Sequence, residues 1–204
     1  MNSIKVLTFD CDGVMFDTRK ANAAYYNDLL AHLGRAPMTA EQFAYAQMHT
    51  VDESLALLFP DAEGRSAALR RRREIGYGPY LKLMEMEPDL IPLLSKYQGR
   101  LHIAVATNRT DTMNKVLAMH GIEKYFDLVV TALDVPRPKP HPDPLLRVLD
   151  RFRAEPAEML YVGDSDLDAA AAAAASVPLA AYGNPALDAA FHISRLGELD
   201  RILS

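Results

Sequence analysis

The segment Ile4-Lys5-Val6-Leu7-Thr8-Phe9-Asp10-Cys11-Asp12-Gly13-Val14-Met15-Phe16-Asp17 decides how this chain is read. Its first half is short, apolar and β-branched, and it stops abruptly in charge. That is the pattern of a buried strand leading into a functional loop. Asp10 closes the strand and Asp12 follows after one residue, so an extended chain points both carboxylates to one side. Gly13 then permits a turn that a Cβ would hinder. Carboxylates this close repel each other, and a cation or a shared proton relieves the repulsion. A hard divalent ion such as Mg²⁺ suits these oxygens. Taken alone, the stretch also fits an acidic turn with no chemistry.

Beyond Asp17, strand character is absent until Leu101. The spacing of Ala23, Tyr26, Leu29, Leu30 and Leu33 predicts a helix over 19–33, stopped by Gly34. Thr39 with Gln42 reads as a capping box at the next helix start. Helices are expected over 52–59 and 63–75, with Pro60 between them. Residues 17–86 therefore read as all-helical. From Pro88 the pattern alternates: helix 89–97, strand 101–106, helix 110–120, strand 126–131, helix 143–152, strand 159–162, helix 167–175, strand 178–182 and helix 195–203. This predicts an α/β fold with a Rossmann-like parallel sheet in a three-layer α/β/α core. The core would comprise residues 1–17 and 87–204. Residues 18–86 would form an α-helical domain inserted after the first strand.

Half of the 204 residues are hydrophobic and 24% are charged, the balance of a soluble globular protein. The net charge of -5 argues against a nucleic-acid partner. No apolar run reaches the length of a membrane span and no signal peptide is visible. One cysteine excludes an internal disulfide and suits a reducing cytoplasm. Cys11 lies between two aspartates that disfavour its thiolate, so it is not taken as a nucleophile.

Four expected strand ends or following loops carry polar groups that their apolar runs do not foreshadow. They are Asp10-Cys11-Asp12, Thr107-Asn108-Arg109, Lys139 within Pro136–Pro142, and Gly163-Asp164-Ser165-Asp166-Leu167-Asp168. Ligand sites of open α/β sheets lie outside the carboxyl ends of the strands, where these groups can converge. Carboxylates, an ammonium and a hydroxyl together suit phosphoryl transfer through a bound metal. No nucleotide-binding glycine loop is present.

The order D-x-D-G-V, T-N, K-P and G-D-S-x-x-D resembles the haloacid dehalogenase superfamily of phosphohydrolases, nearest to members like the phosphoglycolate phosphatases. The resemblance covers nearly the whole chain, including a helical cap at residues 18–86. It implies Mg²⁺-dependent hydrolysis of a small phosphomonoester, phosphoglycolate- or sugar-phosphate-like, through an aspartyl phosphate. Asp10 would be the nucleophile and Asp12 the general acid and then base. Lys139 would steady the nucleophile and the phosphoryl group, and Thr107 and Asn108 would bind phosphate. Asp10, Asp164 and the backbone carbonyl of Asp12 would hold the metal, with Asp168 supporting that shell or pairing with Lys139. Val14 and Ser176 depart from the family's usual threonine and glycine. Valine at position 14 also occurs in phosphosugar mutases and in some sugar-phosphate phosphatases of the superfamily.

A phosphosugar mutase resembling β-phosphoglucomutase, or a binding protein on an inactive fold, are the alternatives. Arg70 to Arg73 read as a solvated helix face, and Arg109 is open between a structural and a functional role. Oligomeric state has no signature here.

Overall fold

A computed structural model describes residues 4–48 and 51–204. The chain divides into two compact units. One is built from the residues up to Asp17 together with Glu85–Ser204, the other from Thr18–Met84. The first begins with β1 (Val6–Phe9) and the two-residue β2 (Phe16–Asp17). The second holds α1 (Arg19–His32), α2 (Ala40–Met48), α3 (Val51–Leu58) and α4 (Ala62–Ile75), followed by a 3₁₀ segment, Gly78–Leu83. The chain re-enters the first unit through β3 (Glu85–Met86). It continues with α5 (Leu90–Tyr97), β4 (His102–Ala106), α6 (Met113–His120), β5 (Leu128–Val130) and α7 (Asp143–Phe152). The remainder is β6 (Met159–Gly163), α8 (Asp166–Ala175), β7 (Leu179–Tyr182), β8 (Phe191–Ile193) and α9 (Asp200–Leu203).

Six strands form one parallel sheet in the order β5-β4-β1-β6-β7-β8. The strand holding Leu7 and Phe9 lies at its centre, and all four of its residues are buried. Strand alternation divides the core. Val6, Ala104, Ala106, Met159 and Tyr161 pack with Leu145 and Val148 of α7 and Ala171, Ala172 and Ala175 of α8. Leu7, Phe9, Ile103, Val105, Leu160 and Val162 point the other way and are also buried. The alanines of α8 carry no bulk beyond Cβ, which lets that helix lie close on the sheet. The expected α/β fold is thus the observed one.

Three strands were not legible. Two of the three residues of β8 are exposed, so no apolar run marks it. Asp17 and residues 85–86 read as the ends of a helical block, yet Phe16 pairs antiparallel with Met86 and Asp17 with Glu85. A two-residue strand has no periodicity to read. The returning segment is fastened to the C-terminal part of the first unit. Glu87 accepts from the Leu196 backbone N–H at 3.2 Å, and Arg195 forks onto Asp89 at 3.0 and 3.1 Å.

In the second unit, Tyr25, Tyr26, Leu29, Leu30, Leu55, Leu58, Phe59 and Ala68 form one apolar cluster. The capping box is present in both directions: Thr39 N–H donates to Gln42 at 2.9 Å and Gln42 N–H to Thr39 at 3.2 Å. The arginine run is only half a solvated face. Arg70 and Arg73 are exposed, whereas Arg71 pairs with Asp28 at 3.4 Å and Arg72 with Asp52 at 3.7 Å.

Ser176 ends α8 in the left-handed region, φ 57° and ψ 31°, with its N–H bonded back to the helix. A side chain is disfavoured there and this one is exposed. Replacing Ser176 by glycine is therefore expected to stabilise the protein by about 1 kcal/mol, or roughly 2–4 °C in Tm. A thermal melt in which Ser176→Gly is no more stable than wild type would refute this account of the helix end.

Candidate active site

The carboxyl ends of β1, β4 and β6 bring the sequence-selected groups together. Asp10 follows β1 directly and its N–H donates to Val162 O of the neighbouring strand at 2.9 Å. Thr107 follows β4 in the same way, bonded to Val130 O at 3.0 Å, and is buried. Asp164 follows β6. Lys139 comes from a loop whose flanking residues are exposed, yet it is itself buried, its side chain only 3% exposed.

That ammonium organises the site. Its Nζ lies 2.7 Å from Asp10 Oδ1, 2.6 Å from Asp168 Oδ1 and 3.0 Å from the Tyr161 hydroxyl. The Asp10 contact is an ion pair by distance without hydrogen-bond alignment. Tyr161 accepts from Lys139 and donates to Asp168 Oδ1 at 2.6 Å. The other Asp168 oxygen accepts from the Ser165 hydroxyl at 2.5 Å and from the N–H groups of Ser165 and Asp164 at 3.1 and 3.2 Å. Both of its oxygens are therefore occupied.

The charges follow from these contacts. Burial opposes a charged Lys139, but Asp10 and Asp168 hold its pKa above the usual lysine range. Burial likewise pushes against an ionised Asp168, and Lys139 outweighs it, so this carboxyl stays below its ordinary value. Asp10 goes the other way: burial raises it to about 7 despite Lys139, with Asp168 and Asp12 adding to the rise. Asp164 is pushed to about 8, by burial first and then by Asp10 and Asp168. Burial, more than the flanking aspartates, drives the Cys11 thiol well upward.

Two glycines make room for these carboxylates. Gly13 has φ +78°, and a Cβ on it would fall 1.9 Å from Asp164 Oδ2. A Cβ on Gly163 would fall 2.4 Å from the Asp168 Cβ. Among the described residues, Asp10, Asp164 and Asp168 place ligand oxygens within 4.8 Å of one another. An all-oxygen set with two carboxyls held above their ordinary pKa suits a hard divalent cation. Asp10 and Asp164 have the capacity to ligate it, whereas Asp168 would have to surrender existing bonds.

Other side chains depart from the simplest picture. Asn108 forms a reciprocal pair with the Lys139 backbone, donating to its O at 2.9 Å and accepting from its N–H at 3.0 Å. Its side-chain amide thereby fixes the lysine loop. The Asp12 carboxylate is gripped by Arg109, whose Nη2 and Nε lie 2.6 and 2.8 Å from its two oxygens. Three contributions escaped sequence reasoning: the Tyr161 bridge, the Arg109 grip, and Asn184, which donates to Asp164 O at 3.0 Å. Tyr161 read as a strand apolar residue, and Asn184 sits in a loop without a distinguishing pattern.

Known proteins place this geometry. Residues 7–182 match the model of the haloacid dehalogenase-like hydrolase family. The chain is 31% identical to a phosphoglycolate phosphatase of Nitrosospira multiformis, covering 84% of this chain and 80% of that protein. A solved hydrolase of the haloacid dehalogenase superfamily, subfamily IA, from Geobacter sulfurreducens is 39% identical, with TM-score 0.90 and coverage of 98% and 97%. A β-phosphoglucomutase from Clostridium difficile shares the fold at 19% identity and TM-score 0.77, covering 98% of this chain and 95% of that one. With a family match across most of its length and carboxylates gathered at the ends of its central strands, this chain belongs to the haloacid dehalogenase-like hydrolases.

Proposed function

We propose that this chain is a phosphatase for a small phosphomonoester, phosphoglycolate- or sugar-phosphate-like, working through an aspartyl phosphate on Asp10. The observation that carries the reading is the buried Lys139 ammonium, bound on one side to Asp10 and on the other to Asp168. In this reading Asp10 Oδ attacks phosphorus as the bond to the bridging oxygen breaks, and Asp12 delivers a proton to the departing alkoxide. Asp12 then accepts a proton from water, whose oxygen attacks phosphorus and breaks the bond to Asp10. Inorganic phosphate leaves, Asp10 returns to its carboxylate, and Asp12 again carries the proton with which it began. Lys139 offsets charge around the nucleophile, and the Thr107 hydroxyl and the Asn108 backbone N–H bind phosphate oxygens.

Mg²⁺ is the proposed cofactor, held by Asp10, Asp164 and the Asp12 backbone carbonyl, and it would neutralise phosphate charge. Asp168 and Tyr161 orient Lys139. Residues 18–84 are assigned the role of a cap that excludes bulk water. Their insertion directly after the Asp10–Asp17 segment supports that role. The relative matched over most of its length is a phosphatase, and the mutase likeness is one of fold. Water is accordingly the acceptor we favour over a sugar hydroxyl.

Asp10→Asn keeps the shape and removes the nucleophile, so Mg²⁺-dependent phosphate release from an aryl phosphate should fall by roughly 10³-fold or more. Undiminished release by the variant would sink the nucleophile assignment.

Metal binding has a separate readout. Asp10 and Asp164 bind protons more tightly in the folded chain than an unfolded aspartate does. Without divalent cation, their contribution to stability is full below about pH 4 and is lost as pH rises through about 7 to 8. Chelator-treated protein should therefore melt lower at pH 8.5 than at pH 6. Mg²⁺ at a hundredfold excess over its Kd should restore about 5–10 °C at the higher pH, and less in Asp164→Asn. A melting temperature indifferent to Mg²⁺ would count against the metal site.

A further inference from the structure

Asp164 has less to hold its side chain than the other carboxylates of the cluster. Among the described residues its carboxylate accepts no hydrogen bond and has no cation within ion-pair distance. Gly13 presses on it from one side, where a Cβ would fall 1.9 Å from Oδ2. The place of this carboxylate therefore depends on the main chain beneath it.

Both peptides that flank the Asp164 Cα are pinned. The Asp164 N–H donates to Asp168 Oδ2 at 3.2 Å, and in the following peptide the Ser165 N–H donates to the same oxygen at 3.1 Å. The other end of that second peptide, Asp164 O, accepts from Asn184 Nδ2 at 3.0 Å. Asp168 is a member of the carboxylate cluster. Asn184 comes from outside it, from the loop between β7 and β8. Its own amide is already oriented, because Oδ1 accepts from the Ala186 N–H at 3.2 Å and leaves Nδ2 to donate. Further along the loop, Leu187 is buried and its carbonyl oxygen lies 3.0 Å from His192 Nε2 of β8. The loop is thus anchored at the edge of the sheet, and one amide carries that anchorage to Asp164.

We propose that Asn184 is a positioning residue that sets the affinity of the site for a divalent cation, by fixing the peptide that follows Asp164. The inference rests on the Mg²⁺ site proposed above. A ligand that is already in place spares binding the entropy of ordering it. Groups that orient metal ligands without touching the metal act in this way. Such coupling is reciprocal: the loop favours the bound cation, and the bound cation favours the loop. An occupied site therefore protects the turn from Asn184 to Ala186.

The test titrates Mg²⁺ alone, without substrate, into metal-free wild type, Asn184→Ala and Asn184→Ser, followed by calorimetry. Thermal melts check that each variant folds. A serine hydroxyl still accepts from the N–H two residues on, which keeps the turn, but it is too short to reach Asp164 O. Both variants should raise the Kd for Mg²⁺ by roughly tenfold or more. If Asn184 served only the turn, Asn184→Ser would bind Mg²⁺ as tightly as wild type, and that result overturns the inference. A second readout needs no variant. In wild type, saturating Mg²⁺ should slow amide hydrogen exchange at Ala186 by about the same factor. Exchange there that is indifferent to Mg²⁺ overturns the inference too, and decides alone if the variants do not fold. Wild type that binds no Mg²⁺ would instead bring down the metal site, and this inference with it.

Discussion

A single buried ammonium holds this cluster of carboxylates together. The Lys139 ammonium donates hydrogen bonds to Asp168 and Tyr161 and lies 2.7 Å from Asp10 in an ion pair. An ammonium removed from water is tolerable only with such compensation, and an aspartate as enclosed as Asp168 needs the same. The central strands bring these residues together, but the lysine lets them stay close. Without it, carboxylates from β1 and the β6–α8 junction would face each other across a poorly hydrated gap.

Backbone geometry keeps that arrangement narrow. The Asn108 side chain closes a two-bond ring with the Lys139 backbone, so the end of β4 determines where a largely exposed loop delivers the buried Lys139 side chain. Gly13 and Gly163 bring main chain against the carboxylates of Asp164 and Asp168 at separations no side chain permits. Asn184 does similar work from the end of β7, holding the backbone of Asp164. Much of this arrangement thus depends on groups that need never touch a ligand: the side-chain amides of Asn108 and Asn184 and the two glycines.

The legible parts of this protein were those with a strong chemical contrast. A buried apolar run that ends in aspartate stands out because burial and charge oppose each other, and Asp10 and Asp164 are legible as strand-end carboxylates for that reason. Parallel strands buried on both faces also announce themselves as short apolar runs. Tyr161 was not legible as a polar residue, because an aromatic ring in a strand is ordinary core and only its hydroxyl tip matters here. Asn108 was read toward phosphate, whereas its amide satisfies a nearby backbone; sequence does not say which of two close partners a side chain chooses. The grip of Arg109 on Asp12 depends on how a loop folds back over 97 positions, a distance at which spacing carries no information. The short strands β2, β3 and β8 are defined by their partners rather than by their own residues.

The pairing of β2 with β3 has a consequence for how the chain is assembled. Neighbouring strands lie about 5 Å apart, so the chain leaves the first unit and returns to it at nearly one point. Seen from the sheet, everything between Asp17 and Glu85 is the connection of a hairpin, however long that connection is. The length of the insert then bears only weakly on the entropy of closing the core, because that term grows with the logarithm of loop length. Such a junction lets the inserted unit change in size or sequence without altering the register of any strand of the first unit.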